Sequence, residues 1–219
     1  MRQSDAAGRL FVSRRTLDGV ACVARWSVAA EKAPVVRARR LALLTLESRG
    51  DYVIDDQLAI DELERRGHQV REVPWSQPFD PRAFDAFIVR TTWDYQNHLP
   101  RFLETLERIA GAGVPLGNSL PLIRWNAQKT YLRELEARGV PIVPSQWGEG
   151  LTVESVSTLA AGFQGEWVLK PVVSANAQDT FRLPGAVNAA TAQQLVETFS
   201  RRAWVAQPMV QSVLTEGET

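Results

Sequence analysis

Lys129 and Lys170 stand in contexts where a positive charge needs a physical reason. Lys129 falls in the first turn of a helix expected to open with Asn126 as its cap and to carry Ala127, Tyr131, Leu132 and Leu135 on one face. A cation at that end opposes the helix dipole by roughly 0.3–1 kcal/mol, unless an anion such as phosphate shares the site. A solvated lysine that tolerates this small cost is the alternative. Lys170 ends the apolar strand Glu166-Trp167-Val168-Leu169, and Pro171 then forbids a further ladder donor. A lysine beside a core either reaches water or pairs with something negative. The loop that follows, residues 172–179, is mostly small and polar. Around Ser174, Ala175, Asn176 and Ala177 it lets backbone amides approach a phosphate chain. An edge strand ending in a surface lysine reads the same residues without any ligand.

A second cluster lies earlier in the chain. Arg90-Thr91-Thr92-Trp93-Asp94-Tyr95 packs a guanidinium, two hydroxyls, a carboxylate and two aromatic rings into one loop. That density suits a small polar substrate held by Arg90, Thr92 and Asp94. It equally suits a capped turn with Trp93 as a core plug and an Arg90–Asp94 surface ion pair of little energetic weight. Near the end, the extended segment through Gln207, Pro208, Met209 and Val210 offers backbone groups beside apolar side chains, as a flat base requires. A further strand is the simpler alternative. Glu216 and Glu218 are placed to accept hydrogen bonds from ribose hydroxyls, or else form a frayed acidic terminus. His68 and His98 lie in unrelated contexts and are read as structural or solvated.

The elements that must position these groups follow from periodicity. Leu41–Leu46 is a short apolar run suited to a strand buried on both faces. Ile54, Leu58, Ala59 and Leu63 make a helical stripe, stopped at Gly67. Strands are expected at Gln69–Val73, Ala86–Val89 and Val114–Leu116, with a helix on Leu99, Phe102, Leu103, Leu106 and Ile109 between the last two. This order implies a small α/β domain with a largely parallel sheet over residues 41–119, and ligands collect beyond the carboxyl ends of such strands. From residue 120 a second part is expected to run to residue 219. After the Asn126 helix, Val140–Val143 leads into a linker, and Thr152 caps a helix through Leu159. Phe181–Leu183 returns antiparallel to the Lys170 strand, Thr191–Ser200 is a helix, and Ala203–Val210 is a last strand.

Composition sets the remaining bounds. The chain has 219 residues, 45% of them hydrophobic, enough for one good core or two small ones. Lys plus Arg equals Asp plus Glu at 25 each, so no overall field favours nucleic acid or a membrane surface. No apolar run approaches the length that crosses a bilayer. A single cysteine, Cys22, excludes an internal disulfide and fits a reducing, cytoplasmic setting. Residues 1–40 are arginine-rich without periodicity; they read as a poorly ordered extension, with an organelle-targeting segment as the alternative.

In order and spacing, the Arg90–Tyr95 loop, Leu122-Ile123-Arg124-Trp125-Asn126-Ala127-Gln128-Lys129, Trp167–Pro171 and Glu216-Gly217-Glu218 together resemble the ATP-grasp superfamily, in its glutathione-synthetase-like and cycloserine-forming branch. The likeness runs from about Leu41 to Glu218. It implies a parallel-sheet N-terminal domain followed by an incomplete α+β ATP-grasp domain, with ATP and magnesium as cofactors. By the same resemblance, Lys129 and Lys170 neutralise the phosphates and the loop after Lys170, with Ser174, covers them. Gln207, Pro208, Met209 and Val210 meet adenine, Glu216 or Glu218 contacts ribose, and Arg90, Thr92 and Asp94 bind substrate. The implied reaction activates a small carboxylate or amino-acid-like substrate as an acyl phosphate for attack by an amine-type nucleophile. Two departures qualify it. The loop after Lys170 lacks the glycine that the resemblance implies, so its closure is expected to be impaired or arranged differently. The metal ligands are expected beyond Thr219, so little or no turnover is expected of this chain by itself. A nucleotide-binding fragment without catalysis, and a small α/β binding module with both lysines on its surface, are the competing readings.

Overall fold

The computed structural model describes residues 37–48, 50 and 52–215. The readings placed on residues 1–36 and on Glu216 and Glu218 lie outside the described residues.

The first half is built on the strands β1 (Arg40–Thr45), β2 (Gln69–Pro74), β3 (Ala86–Thr91) and the two-residue β4 (Leu116–Gly117). All pair in parallel, in the order β2-β1-β3-β4. Helix α1 (Asp56–Arg65) connects β1 to β2, and α2 (Leu99–Gly111) connects β3 to β4. The periodicity of α2 is realised as expected. Leu99, Phe102, Leu106 and Ile109 are buried at helical spacing and join Ala42, Leu44, Trp75 and Phe87 in one core. Trp75 and Phe102 meet edge to face at 5.3 Å, a geometry that suits the quadrupoles of both rings.

Helix α1 departs from the expected stripe. Leu58 is 74% exposed and Ala59 is exposed, while the residue turned inward is Asp56, only 2% exposed. The cause is a polar anchor. Asp56 accepts hydrogen bonds from Arg90 Nε and Thr91 Oγ1, both at the carboxyl end of β3. A buried carboxylate without such donors costs several kcal/mol, so the helix rotates to satisfy it.

The next segment also differs from expectation. Asn126 does not open a helix; it ends α3 (Leu120–Asn126), which starts after Ser119 with a proline in its first turn. Lys129 therefore lies in the link between α3 and α4 (Tyr131–Ala137), not inside a first helical turn. Ile123 and Ala127, four apart, pack into the first core, so the apolar stripe belongs to α3 and its exit.

The second half is a four-stranded antiparallel sheet in the order β5-β8-β6-β7. Its strands are β5 (Gln146–Glu149), β6 (Trp167–Pro171), β7 (Phe181–Leu183) and β8 (Ala203–Pro208). β5 falls where a linker was expected. Gly148 of β5 faces Trp204 of β8, and a Cβ there would lie 2.3 Å from the indole ring, so only glycine permits this pairing. Helices α5 (Val153–Ala161) and α6 (Ala189–Phe199) pack on one face of the sheet. Thr152 caps α5 in a reciprocal bond pair with Ser155, and Asn188 caps α6 by accepting from Thr191 N. A short helix, α7 (Ser212–Thr215), follows β8. Among the described residues no helix is long and apolar enough to cross a membrane.

Candidate nucleotide and substrate site

Strand parity sets the two faces of the antiparallel sheet. Trp167 and Leu169 of β6, with Ala206 and Trp204 of β8, enter the core shared with α5 and α6. Lys170 is therefore on the opposite face, directly across from Val205, with Val168 across from Gln207. Trp147 of β5 also pairs with Val205 and shares this face, where the Arg133 guanidinium lies 5.1 Å from its ring centre.

Lys129 is drawn to the same region by its backbone. Its N–H donates to the Val172 carbonyl at 2.9 Å, tying the α3–α4 link to the exit of β6. Its ammonium donates to Ser174 Oγ at 2.7 Å and to the Ser174 carbonyl at 3.0 Å. Burial, with the charge of Lys170 as the second cause, pushes the Lys129 ammonium down to about 8. Two cations thus share a partly desolvated neighbourhood that an anion would relieve.

The loop after Lys170 resolves its lack of glycine in an unexpected way. Asn176, Ala177 and Asp179 all adopt left-handed backbone conformations, with φ of 51°, 55° and 52°. Asparagine and aspartate tolerate this region; alanine pays for it. Contacts to the first half hold the loop there. Gln96 Nε2 donates to the Gln178 side-chain Oε1 at 2.9 Å, and Gln178 Nε2 donates to Asn97 Oδ1 at 3.3 Å. Asn176 donates to Tyr52 OH at 3.3 Å and to the Trp93 carbonyl at 3.4 Å. From below, Asp179 is paired with Arg202 at 2.6 Å. None of Tyr52, Gln96, Asn97 or Gln178 stood out in the sequence, because isolated amides and a lone tyrosine carry no local signal.

The other candidate residues fall into distinct surroundings. Gln207 is buried, and its side chain donates to Ser145 Oγ at 2.8 Å, bracing the entry to β5. Met209 N donates to the Glu166 carbonyl at 2.9 Å, while Pro208 is half-buried and Val210 is exposed beyond the strand. Arg90 leaves β3 with Nε on Asp56 and Nη2 on Asp55; Nη1 makes no hydrogen bond among the described residues. Asp94 does not pair with Arg90. It accepts the indole N–H of the buried Trp75 at 2.6 Å. Thr92 is 5% exposed and lines a cavity between β3, α2 and α3. The structure thus gathers Lys129, Ser174 and Lys170 in one place, with Gln207 on the Lys170 face of the sheet. Arg90, Thr92 and Asp94 sit together at the carboxyl end of β3 but point to separate partners.

For ATP, the paired lysines and the small-residue loop suit a chain of phosphates. For magnesium, no group of three or more His, Cys, Asp or Glu side chains among the described residues is placed to hold a metal ion.

Comparison with known proteins agrees with this architecture. Residues 41–118 match the family described as D-cycloserine synthetase DcsG, N-terminal domain. The cycloserine biosynthesis protein DcsG of Streptomyces lavendulae is 29% identical over 152 residues, covering 67% of this chain and 48% of that protein. The chain thus spans about half the length of the curated relative it matches. The crystal structure of D-cycloserine synthetase DcsG superposes with a TM-score of 0.69 at 24% identity, over 81% of this chain and 62% of that one. A RimK-domain ATP-grasp protein from Sphaerobacter thermophilus superposes with a TM-score of 0.58 at 22% identity, over 78% and 64%. A parallel-sheet domain matching one family, followed by an antiparallel sheet that carries the second lysine, is an arrangement shared with these proteins; the chain has the fold of the ATP-grasp proteins.

Proposed function

We propose that this chain binds the phosphates of ATP at Lys129 and Lys170 and serves a carboxylate–amine ligase reaction on a small molecule. The observation that carries this reading is the meeting of Lys129 with Ser174, in the loop directly after Lys170. The Lys129 ammonium tethers the α3–α4 link to Ser174, and a phosphate chain beside it would offset the positive charge that Lys129 and Lys170 bring together. ATP, when bound, supplies the phosphoryl group that activates a carboxylate. Lys129 and Lys170 hold and neutralise that group, and Ser174 with its neighbours offers backbone and hydroxyl contacts. Such transfer depends on positioning and charge, which accounts for a site without a protein nucleophile.

The carboxyl end of β3 is read as the substrate side. Arg90, fixed by Asp55 and Asp56, keeps Nη1 for a carboxylate, and its guanidinium suits a planar anion. Thr92 and Asp94 complete that side, while the extended segment Gln207–Val210 is read as the adenine contact. The loop contacts of Asn176 and Gln178 with Trp93, Gln96 and Asn97 support a link between the two sides.

Binding is tested by the stability that ATP with magnesium adds to the full chain. At one hundred times the dissociation constant, the gain is about 2.7 kcal/mol. Lys129→Ala and Lys170→Ala are expected to weaken binding at least tenfold; equal stabilisation of both variants and the parent would refute the site. Turnover is a separate claim, read as carboxylate-dependent ADP release.

A further inference from the structure

We infer that the cavity between β3, α2 and α3 is a binding site for an uncharged hydroxyl- or amide-bearing group on a compact apolar body. The cavity measures about 290 Å³, close to the lower end of ligand sites. Its apolar lining includes Phe102 and Ile123 from the first core. Its polar groups are Thr92, Tyr95, Asn118 and Asn126, and no charged side chain lines it. None of these four side chains makes a hydrogen bond among the described residues. Thr92 is 5% exposed and Tyr95 half-buried, while Asn118 and Asn126 are exposed, so their amides are open to water and to an incoming ligand.

The backbone supports the same conclusion. Asn118 sits at φ 63°, a left-handed conformation directly after β4 that glycine would adopt more cheaply. An asparagine there has a side chain to present. Burial raises the Tyr95 phenol above its ordinary value, with Tyr131 a second cause, so it remains a protonated donor. A carboxylate or phosphate would enter this cavity without a counter-charge and would lose its hydration. A neutral amide would replace its water bonds with those of Thr92, Asn118 and Asn126. The identity of this ligand as the non-reacting end of a ligase substrate rests on the function proposed above; the neutrality of the cavity does not.

Benzamide and benzoate have the same shape and differ in charge, so they serve as the probes. Titration of the isotope-labelled full chain is expected to give saturable benzamide shifts at the side-chain amides of Asn118 and Asn126. Benzoate is expected to bind at least tenfold more weakly. Thr92→Val, which keeps volume and removes the hydroxyl, should weaken benzamide about tenfold. Asn118→Gly suits the backbone and removes an amide, so it supplies the same test if the valine variant fails to fold. Equal binding of the two probes, no saturable shift, or benzamide binding unchanged in a folded variant would overturn the inference. Failure to bind ATP with intact benzamide binding would overturn the ligase reading alone.

Discussion

Lys129 Nζ lies 2.7 Å from Ser174 Oγ, across a sequence separation of 45 residues. The contact joins the link between two helices to the loop after β6, and it makes charge at this point a property of the fold. Burial holds the Lys129 ammonium near 8, below the ordinary value of 10.5, with Lys170 adding to the effect.

This depression has a definite sign. Between pH about 8 and 10.5 the unfolded chain binds the proton more tightly than the folded chain. Stability contributed by this group therefore rises with pH across that window and is lower below it. Lys129→Met is expected to abolish the rise in urea-denaturation curves. An anion reverses the balance by favouring the protonated form. ATP affinity should be level below pH about 7 and fall by up to tenfold per unit above pH 8. Calorimetry at pH 8.5, in buffers of different ionisation enthalpy, should register proton uptake on binding, and its absence would remove Lys129 from the site.

Ala177 stores backbone strain that glycine would release. A left-handed alanine costs roughly 1–2 kcal/mol, against about 0.5–1 kcal/mol for the extra freedom of an unfolded glycine. Ala177→Gly is thus expected to stabilise the chain by about 0.5–1 kcal/mol. Ala175, which is not in a left-handed conformation, is the control: Ala175→Gly should be neutral or destabilising. Paired shifts of the urea midpoint in opposite directions check both statements. A loss at both positions would mean that the left-handed turn does not form in solution.

Legibility in the sequence tracks how local the cause is. Strand β6 and helix α2 follow from uninterrupted apolar patterns, and Thr152 announces α5 through its own hydroxyl. The inward face of α1 was not legible, because Asp56 turns toward Arg90 and Thr91, 34 and 35 residues away. The strand β5 has no alternation to reveal it and exists because Trp204 covers Gly148. Lys129, Lys170 and Ser174 were each visible as residue types, but their meeting depends on the Lys129 N–H finding the Val172 carbonyl. The neutral cavity escaped entirely, since Asn118 and Asn126 acquire meaning only when α3 folds beside β3.

Asp56 and Arg90 form an asymmetric pair. The carboxylate is 2% exposed and the guanidinium 44%. Removing Arg90 strands a buried charge with one hydroxyl donor, which is expected to cost about 3 kcal/mol or more. Removing Asp56 releases Arg90 to water and leaves the Thr91 hydroxyl unpaired, at about 1–2 kcal/mol. Arg90→Ala should therefore destabilise more than Asp56→Ala in urea unfolding. The reverse order would mean that Arg90, not Asp56, is the group that depends on its partner.

Asp94 separates a structural role from a substrate role by a single substitution. Its carboxylate accepts the Trp75 indole N–H at 2.6 Å, and Trp75 is 2% exposed. Asp94→Ala orphans that donor inside the core, and a loss of about 1–3 kcal/mol is expected. Asp94→Asn retains an acceptor oxygen at the same place and should keep most of the stability and the near-ultraviolet signature of the buried indole. Substrate binding gives the second readout. If the negative charge of Asp94 holds a cationic group of the substrate, Asp94→Asn loses binding in a chain that remains folded. If it binds substrate as well as the parent, the role of Asp94 is to fix Trp75 beneath the loop, and the substrate contacts on this side reduce to Arg90 and Thr92.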